Sequence, residues 1–523
     1  MSTYTKGEFL KKGSYGCCYI ATNNLGEKVA IKEGYYNHII AGFGNLKELD
    51  VLSRLSSDSL GPKLIDIIYD DLIKERDKNS KLESISIVTE LAICDGDTFF
   101  RNRKLCTLEV CIKLSSELLI VLDILHTKRI THRDIKPGNI LIFNKPGGYH
   151  LKLCDFGFAN FLCDLAPSTP STYTLWYRAP EICWEISKYG FTSDIWAVAC
   201  TIYEIFTNDI LLYNVGNENS KLFHGILNNI PTKITKEIIS LYKKDGNIYI
   251  PFDMTMQSKK KFSDMFKKLA NYNFMSTELW GHLEILLTGM FNLDYTKRTS
   301  ANICLQSPLF NINKTVINHH FDTFNKSIIL ENIYIANNNS LEETKIREFK
   351  KFLDPYYLDK IKLRTLFHSL DLFNLFYHKY PSYSTEPSEV FKVIAGCIYF
   401  WNKYFSTMIF PYLPEFFFGK PSNIDEIFYL KELDTWIYNF EKNVLENIYC
   451  NEKKNIKYII YRTTLYEIHD EYRSKIILNN DQLKTLFNYA LEVKNWNKSY
   501  RFMYRNIIKT YFNPNLFPEH KIE

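Results

Sequence analysis

The chain has 523 residues, and 64 Lys and Arg against 59 Asp and Glu leave a net charge of only +5. This small charge argues against nucleic acid or an anionic membrane as the main partner. The longest apolar run, around Val393 to Trp401, is shorter than the ~18 residues that span a bilayer, and the N-terminus lacks the apolar core of a signal peptide. Twelve cysteines without a C-x-x-C pair fit reduced thiols. We expect a soluble, intracellular protein, cytoplasmic or nuclear, with two or three structural units.

In the first part of the chain, residues 1 to about 92, apolar and polar residues alternate as in short strands, for example in EKVAIKE and ESISIVTEL. One stretch, around Leu46 to Leu55, has helical spacing. This pattern predicts a small β-rich lobe. From about 93 to 310 the spacing becomes helical, as in Leu108 to His126, and loops carry HRDIKPGNI, KLCDFGFA and WYRAPE. This pattern predicts a larger helical lobe.

The remainder of the chain divides into a linker and a second domain. Residues 311–345 are polar and rich in Asn, which is typical of a linker. Residues 346–523 show long helical patterns dense in Phe, Tyr, Leu and Ile, without strand alternation. We predict an α+β region followed by an all-α C-terminal domain.

Several motifs follow one another in a fixed order: KKGSYGCCY, VAIK, HRDIKPGNI, DFG and finally APE. In this order, residues 1–310 resemble the eukaryotic serine/threonine protein kinase family. The resemblance implies a bilobal kinase fold and transfer of the γ-phosphoryl group from ATP with Mg²⁺ to Ser or Thr hydroxyls of protein substrates.

The catalytic and metal-binding roles come from matching these motifs to the family. Asp134 would accept the proton of the substrate hydroxyl, and Lys136, two residues later, would steady the transferring phosphate. That Lys is typical of serine/threonine kinases. Asn139 and Asp155 would hold Mg²⁺, since a hard cation prefers oxygen ligands.

The ATP pocket is assigned in the same way. Lys32 of VAIK would grip the α and β phosphates, and Glu48 is its expected partner on the helix. Lys11 stands where the family has its first glycine, which departs from the family pattern. Thr89 would be the gatekeeper, and the hinge would follow it. The implied pocket residues are Lys11, Gly13, Ser14, Tyr15, Gly16, Cys18, Ala30, Lys32, Thr89, Glu90, Ala92 and Leu141.

Two segments, TLWYRAPE and LKLCDFGFA, resemble the cyclin-dependent and mitogen-activated (CMGC) group. Thr174 and Arg178 would shape the pocket that receives the residue after the target. The resemblance implies a preference for Ser or Thr followed by Pro.

Regulatory positions also match that group. Ser14 and Tyr15 match an inhibitory phosphorylation pair, and Thr169 matches an activating site; all three could equally be unmodified loop residues. Arg133 is one of three family arginines that receive the phosphate. Lys47 and Asn160 replace the other two, which removes a bidentate donor. We expect activity to depend little on Thr169.

The C-terminal domain is open to two interpretations: a plain helical appendage, or a domain resembling a cyclin box. LRTLFHSLDLFNLFYHKYP, VFKVIAGCIYFWNKYF and KELDTWIYNFEKNVLENIY follow the cyclin helix order. Lys403 and Glu441 fall where cyclins keep a kinase-contacting pair. This resemblance implies an activator in cis, through an intramolecular contact with the kinase domain.

Two other functions stay open. A pseudokinase scaffold is supported by Lys11, Asn160 and Ala199, each of which departs from the family pattern. A small-molecule kinase is disfavoured by the complete WYRAPE segment, which serves a polypeptide substrate. The abundance of Asn, Lys, Ile, Tyr and Phe resembles AT-rich genomes, including those of large DNA viruses, in which case a host cell or virion would contain the protein.

Overall fold

The computed structural model describes residues 4–13, 16–34, 39–55, 61–69, 85–161, 174–186, 190–213, 215–216, 218–246, 249–256, 262–265, 275–318, 363–380, 383 and 387–405. The chain divides into two compact units, residues 1–327 and 328–523. Each unit is described by itself. Among the described helices, none combines the length and the apolarity that crossing a membrane requires.

A five-stranded antiparallel sheet forms the first lobe, in the order β1-β2-β3-β5-β4. Its core on one face is the buried cluster of Ala21, Val29, Ile31 and Val88. Because side chains alternate across a strand, residues 30 and 32 lie on the opposite face. The strands are β1 (Tyr4–Lys12), β2 (Gly16–Asn23), β3 (Lys28–Gly34), β4 (Leu64–Tyr69) and β5 (Ile85–Glu90).

One helix, α1 (Ile39–Leu55), accompanies this sheet. The sequence pattern predicted its second half, from Leu46, but missed the first turns, where two glycines lower helix propensity. Leu49, Val51 and Leu52 are buried. They hold the helix in place, where it packs against the turn at residues 156–158.

The second lobe is mainly helical, and the predicted α+β fold class is confirmed. Thr107 caps helix α3, because its hydroxyl accepts a hydrogen bond from the Val110 backbone N–H at 3.4 Å. The helices are α2 (Gly96–Arg101), α3 (Leu108–Thr127), α4 (Pro180–Cys183), α5 (Phe191–Thr207), α6 (Asn219–Asn229), α7 (Lys236–Asp245), α8 (Phe262–Met265), α9 (Thr277–Met290) and α10 (Ala301–Cys304).

A small β-structure interrupts the helical lobe and positions the loops that carry the motifs. Strands β8 (Ile140–Lys145) and β9 (Gly148–Leu153) form a hairpin, and β6 (Cys94–Asp95) pairs with β8. Gly147 and Gly148 take the positive φ angles that its turn requires. Strands β7 (Ile130–Thr131) and β10 (Asn160–Phe161) pair with each other. The loop 132–139 therefore lies between two fixed strands.

The described part of the second unit is helical, in agreement with the pattern. Helices α11 (Leu363–Lys379) and α12 (Pro387–Phe405) pack together. The rings of His368 and Trp401 lie 4.4 Å apart between their centroids, and the Ser369 hydroxyl donates to the Cys397 carbonyl at 3.3 Å. The third cyclin-like segment, Glu441 and the side chain of Lys403 lie outside the described residues.

Candidate active site

The sheet face opposite the apolar cluster forms the roof of a cleft. Cys18 lies directly across from Lys32, and Ala30 lies across from Thr89, so the strand register places these four side chains on one face. Burial raises the pKa of the Cys18 thiol to about 11. The thiol is therefore a neutral, apolar part of the roof.

The β1–β2 hairpin continues this roof, and its turn needs glycine at residue 16, where β2 begins. The Gly13 backbone N–H donates to the Gly16 carbonyl at 2.8 Å, which closes the turn. A Cβ atom at Gly16 would lie 2.0 Å from the Glu33 carbonyl oxygen, so no other residue fits there. Ser14 and Tyr15, between them, lie outside the described residues.

Three charged groups from distant segments meet below the roof. The Lys32 Nζ contacts the Glu48 carboxylate and lies 2.7 Å from Oδ1 of Asp155. Burial lowers the pKa of Lys32, but the two carboxylates outweigh it and hold this pKa well above its usual value. For Asp155 the two effects have the opposite signs: burial raises the pKa of the carboxyl, and the Lys32 charge brings this pKa below its ordinary value. Both groups are charged at neutral pH.

A buried aspartate holds the loop 132–139 from beneath. The Asp194 carboxylate accepts backbone N–H bonds from His132 at 2.8 Å and from Arg133 at 2.9 Å. Its side chain is fully buried, and His126 Nε2 lies 3.2 Å away. These bonds fix Arg133 in the left-handed region, with φ of 71°, and orient the next residue toward the cleft.

That next residue, Asp134, is the centre of a hydrogen-bonded cluster. Its Oδ1 accepts from the Thr174 hydroxyl at 2.5 Å, and its Oδ2 accepts from Lys136 Nζ at 2.7 Å and Asn139 Nδ2 at 2.9 Å. Lys136 Nζ also donates to the Thr174 hydroxyl at 2.7 Å. The cluster places one carboxylate, one ammonium and one hydroxyl within direct contact.

Two side chains in this region have oxygen atoms that could bind a magnesium ion. Asn139 Nδ2 donates to Asp134, so the amide oxygen is the atom that can bind a cation. Asp155 offers a carboxylate. Magnesium is usually held by one or two carboxylates together with substrate phosphates. Within the described residues, no group of three or more His, Cys, Asp or Glu could hold a metal by itself.

Residues 4–310 match the protein kinase domain family. This chain belongs to the protein kinase family.

The kinase resembles members of the mitogen-activated and cyclin-dependent-like group. It is 32% identical to mitogen-activated protein kinase 4 of Arabidopsis thaliana over 203 residues, 38% of this chain and 51% of the relative. It is 28% identical to CTD kinase subunit alpha of Saccharomyces cerevisiae over 313 residues, 59% of this chain and 55% of the relative. The chain thus spans about half the length of these relatives.

The segment that the family resemblance assigns to the hinge, residues 90–92, is fixed at both ends. The Glu90 backbone N–H donates to the Lys63 carbonyl at 3.0 Å, and the Ile93 N–H donates to the Ile142 carbonyl at 2.9 Å. Ala92 lies between these points. Leu141, next to Ile142 on β8, pairs across the strands with Asp95 and with Lys152. The sequence did not single out Lys152, whose ammonium pairs with the Glu90 carboxylate.

A buried ion pair anchors the C-terminal end of the activation segment, the stretch from DFG to APE. Arg298 donates two parallel hydrogen bonds to Glu181, at 2.7 and 2.9 Å, and both side chains are fully buried. The guanidinium lies 5.2 Å from the Trp196 ring centroid. Ser193 donates to the same carboxylate at 2.8 Å.

The regulatory candidates are only partly described. Arg133 is buried, and Asn160 lies on β10, where its carbonyl accepts from the Thr131 hydroxyl at 3.1 Å. Thr169 lies outside the described residues. The weakened phosphate pocket therefore stays a prediction.

Two functional contacts were missed by the sequence analysis. Thr174 was assigned to the pocket after the target residue, but its hydroxyl also contacts Asp134. Lys11 was noted as a departure from glycine, but its reach to Gly138 was not foreseen. No local pattern signals either contact, because each joins segments that are far apart in the chain.

Proposed function

We propose that this chain is a serine/threonine protein kinase that transfers the γ-phosphoryl group of ATP to protein hydroxyls. The observation that carries the proposal is the cluster of Asp134, Lys136 and Thr174 in one cleft with Lys32 and Asp155. Membership of the protein kinase family supports the same activity.

Each residue has a role in this reaction. Asp134 accepts a hydrogen bond from the Thr174 hydroxyl. In the same way it would orient a substrate hydroxyl and take its proton. The acceptor oxygen then bonds to the γ-phosphorus, the bond from that phosphorus to the β–γ bridging oxygen breaks, and ADP leaves. Lys136 and Lys32 offset the negative charge on the phosphates. Magnesium, held by Asp155 and Asn139, would add charge neutralisation at the β and γ phosphates.

A catalytically silent scaffold is the competing function. Transfer of ³²P from ATP to a protein substrate distinguishes the two, with the wild type compared to Asp155→Ala. Transfer by the wild type that the variant loses supports a kinase. Equal background signals from both proteins would support the scaffold.

The preference for Ser or Thr followed by Pro is a finer proposal, which the mitogen-activated and cyclin-dependent-like relatives support. Arg178 donates to Asn219 at 2.7 Å, and the ring centroids of Trp176 and Tyr213 lie 5.2 Å apart. These contacts would shape a fixed pocket for the substrate residue that follows the phosphorylated Ser or Thr. An arrayed peptide library in which Pro is exchanged for Ala at that position tests the preference, and equal labelling of both peptides contradicts it.

We also propose that residues 346–523 regulate the kinase in cis. The division of the chain into two compact units and the helices α11 and α12 support a separately folded regulator. Deletion of residues 320–523 should abolish activity. A fully active fragment of residues 1–315 contradicts this proposal but leaves the kinase activity itself in place.

A further inference from the structure

Lys11 connects the roof of the cleft to its floor. Lys11 lies on β1, across from Cys18, where the kinase family has a glycine. Its Nζ donates to the Gly138 carbonyl oxygen at 2.7 Å and lies 3.5 Å from Oδ2 of Asp95. The side chain is 45% exposed, so it lies at the mouth of the cleft.

The floor presents its oxygen atoms to this ammonium group. Oδ1 of Asp95 accepts the Thr98 backbone N–H at 2.9 Å, which fixes the carboxylate and turns Oδ2 toward Lys11. A Cβ atom at Gly138 would lie 2.6 Å from Oδ2 of Asp97 and 3.0 Å from Nζ of Lys11. Glycine at 138 therefore leaves the space that the lysine of the roof needs.

The same two acceptors lie where a nucleoside would need them. Asp95 is across the strands from Leu141, on the cleft floor, and it follows the hinge by a few residues. Gly138 lies between the phosphate-steadying Lys136 and the metal-binding Asn139. A ribose between the hinge and Lys32 would have two vicinal hydroxyls, and each could donate to one of these acceptors. The Lys11 ammonium group contacts both of these acceptors.

We propose that Lys11 is a latch that the nucleotide displaces, a proposal that rests on the proposed ATP-dependent function. Without nucleotide, Lys11 binds the Gly138 carbonyl and Asp95 and holds the two lobes together. When nucleotide enters, the ribose hydroxyls take these acceptors, and the released ammonium turns to the triphosphate, where its charge favours binding. The latch therefore weakens the binding of adenosine, which must displace Lys11 and has no phosphates to attract it. It favours the binding of ATP over that of adenosine.

Equilibrium binding of three ligands to the full chain tests this proposal. Adenosine, 2′,3′-dideoxyadenosine and MgATP are titrated calorimetrically into the wild type and Lys11→Met. Lys6→Met is the matched control, because Lys6 lies on the same strand and pairs with Glu33 at 2.7 Å, away from Gly138 and Asp95. Dideoxyadenosine has no ribose hydroxyl that could take the acceptors.

The latch predicts that Lys11→Met binds adenosine about three- to tenfold more tightly than the wild type does. In Lys11→Met the affinity for dideoxyadenosine rises by a smaller factor, and the preference for MgATP over adenosine falls. Lys6→Met binds all three ligands with the affinities of the wild type. An adenosine affinity that is unchanged or weaker in Lys11→Met overturns the latch, as does an equal gain for both nucleosides. A wild type that binds adenosine but neither binds MgATP nor transfers phosphate contradicts the proposed function instead.

Discussion

Lys32 and Glu48 form an ion pair between strand β3 and helix α1, with only 11% and 7% of their side chains exposed. Because Lys32 also contacts Asp155, the helix, the sheet and the loop that carries Asp155 are fixed together. The proposed phosphoryl transfer depends on this arrangement.

The Lys32 ammonium should be essential for transfer. Lys32→Met is expected to lower the transfer rate about 10²-fold or more, because the phosphates lose a preorganised cation. Steady-state transfer of ³²P to a protein substrate measures the loss. Lys28→Met, an exposed lysine on the same strand, is the control and should keep its activity. Similar rates for both variants would contradict the assigned role.

The Thr174 hydroxyl should contribute to positioning Asp134 and Lys136. Thr174→Val removes both of its hydrogen bonds and is expected to lower kcat about tenfold. Thr174→Ser keeps the hydroxyl and should retain most of the rate. If Ser impairs the enzyme as much as Val does, the methyl group is what matters, and the hydroxyl has no positioning role.

The Arg298–Glu181 pair should be important for stability, because it is fully buried. Arg298→Met leaves a buried carboxylate without its cation and is expected to cost about 3–5 kcal/mol. Thermal unfolding of the full chain measures the change. Lys221→Met breaks an exposed pair with Glu218 and should cost at most about 1 kcal/mol. A small shift for Arg298→Met would contradict the prediction.

Glu204 should make stability depend on pH. Burial raises the pKa of Glu204 to about 7 from its usual 4.5, although the Tyr177 hydroxyl donates to it at 2.6 Å. The folded state thus favours the protonated form, so this stabilisation is complete below pH 4.5 and is lost as the pH rises through 7.

The variant Glu204→Gln keeps the shape without the charge. At pH 8.5 it should be more stable than the wild type by roughly 1–3 kcal/mol, and the difference should shrink at pH 5. Unfolding midpoints at both pH values measure this. A difference that is the same at both would show that the Glu204 charge is not the cause.

Local patterns predicted the elements that neighbouring residues determine. Alternation in EKVAIKE and ESISIVTEL anticipated β3 and β5, and helical spacing anticipated α3 to within one residue of its observed end at Thr127. The family motifs anticipated the groups that meet in the cleft. The β8–β9 hairpin was overlooked, because its strands overlap HRDIKPGNI and KLCDFGFA, two segments that were assigned to loops.

Contacts between distant segments were beyond the reach of such patterns. Lys11 and Gly138 are 127 residues apart, and Thr174 and Asp134 are 40 apart. Neither spacing implies a contact, because the closing of the two lobes and the path of the activation segment decide both. A long lysine side chain can also point to solvent or to the cleft from the same strand position.

Transfer of the γ-phosphoryl group tests the central claim most directly. Wild type and Asp134→Asn are incubated with labelled ATP, Mg²⁺ and matched peptides that carry Ser, Thr or Tyr as the acceptor. The account predicts labelling of the Ser and Thr peptides by the wild type and a loss of about 10²- to 10⁴-fold in Asp134→Asn. Labelling that is absent from the wild type, or equal in the two proteins, would contradict it.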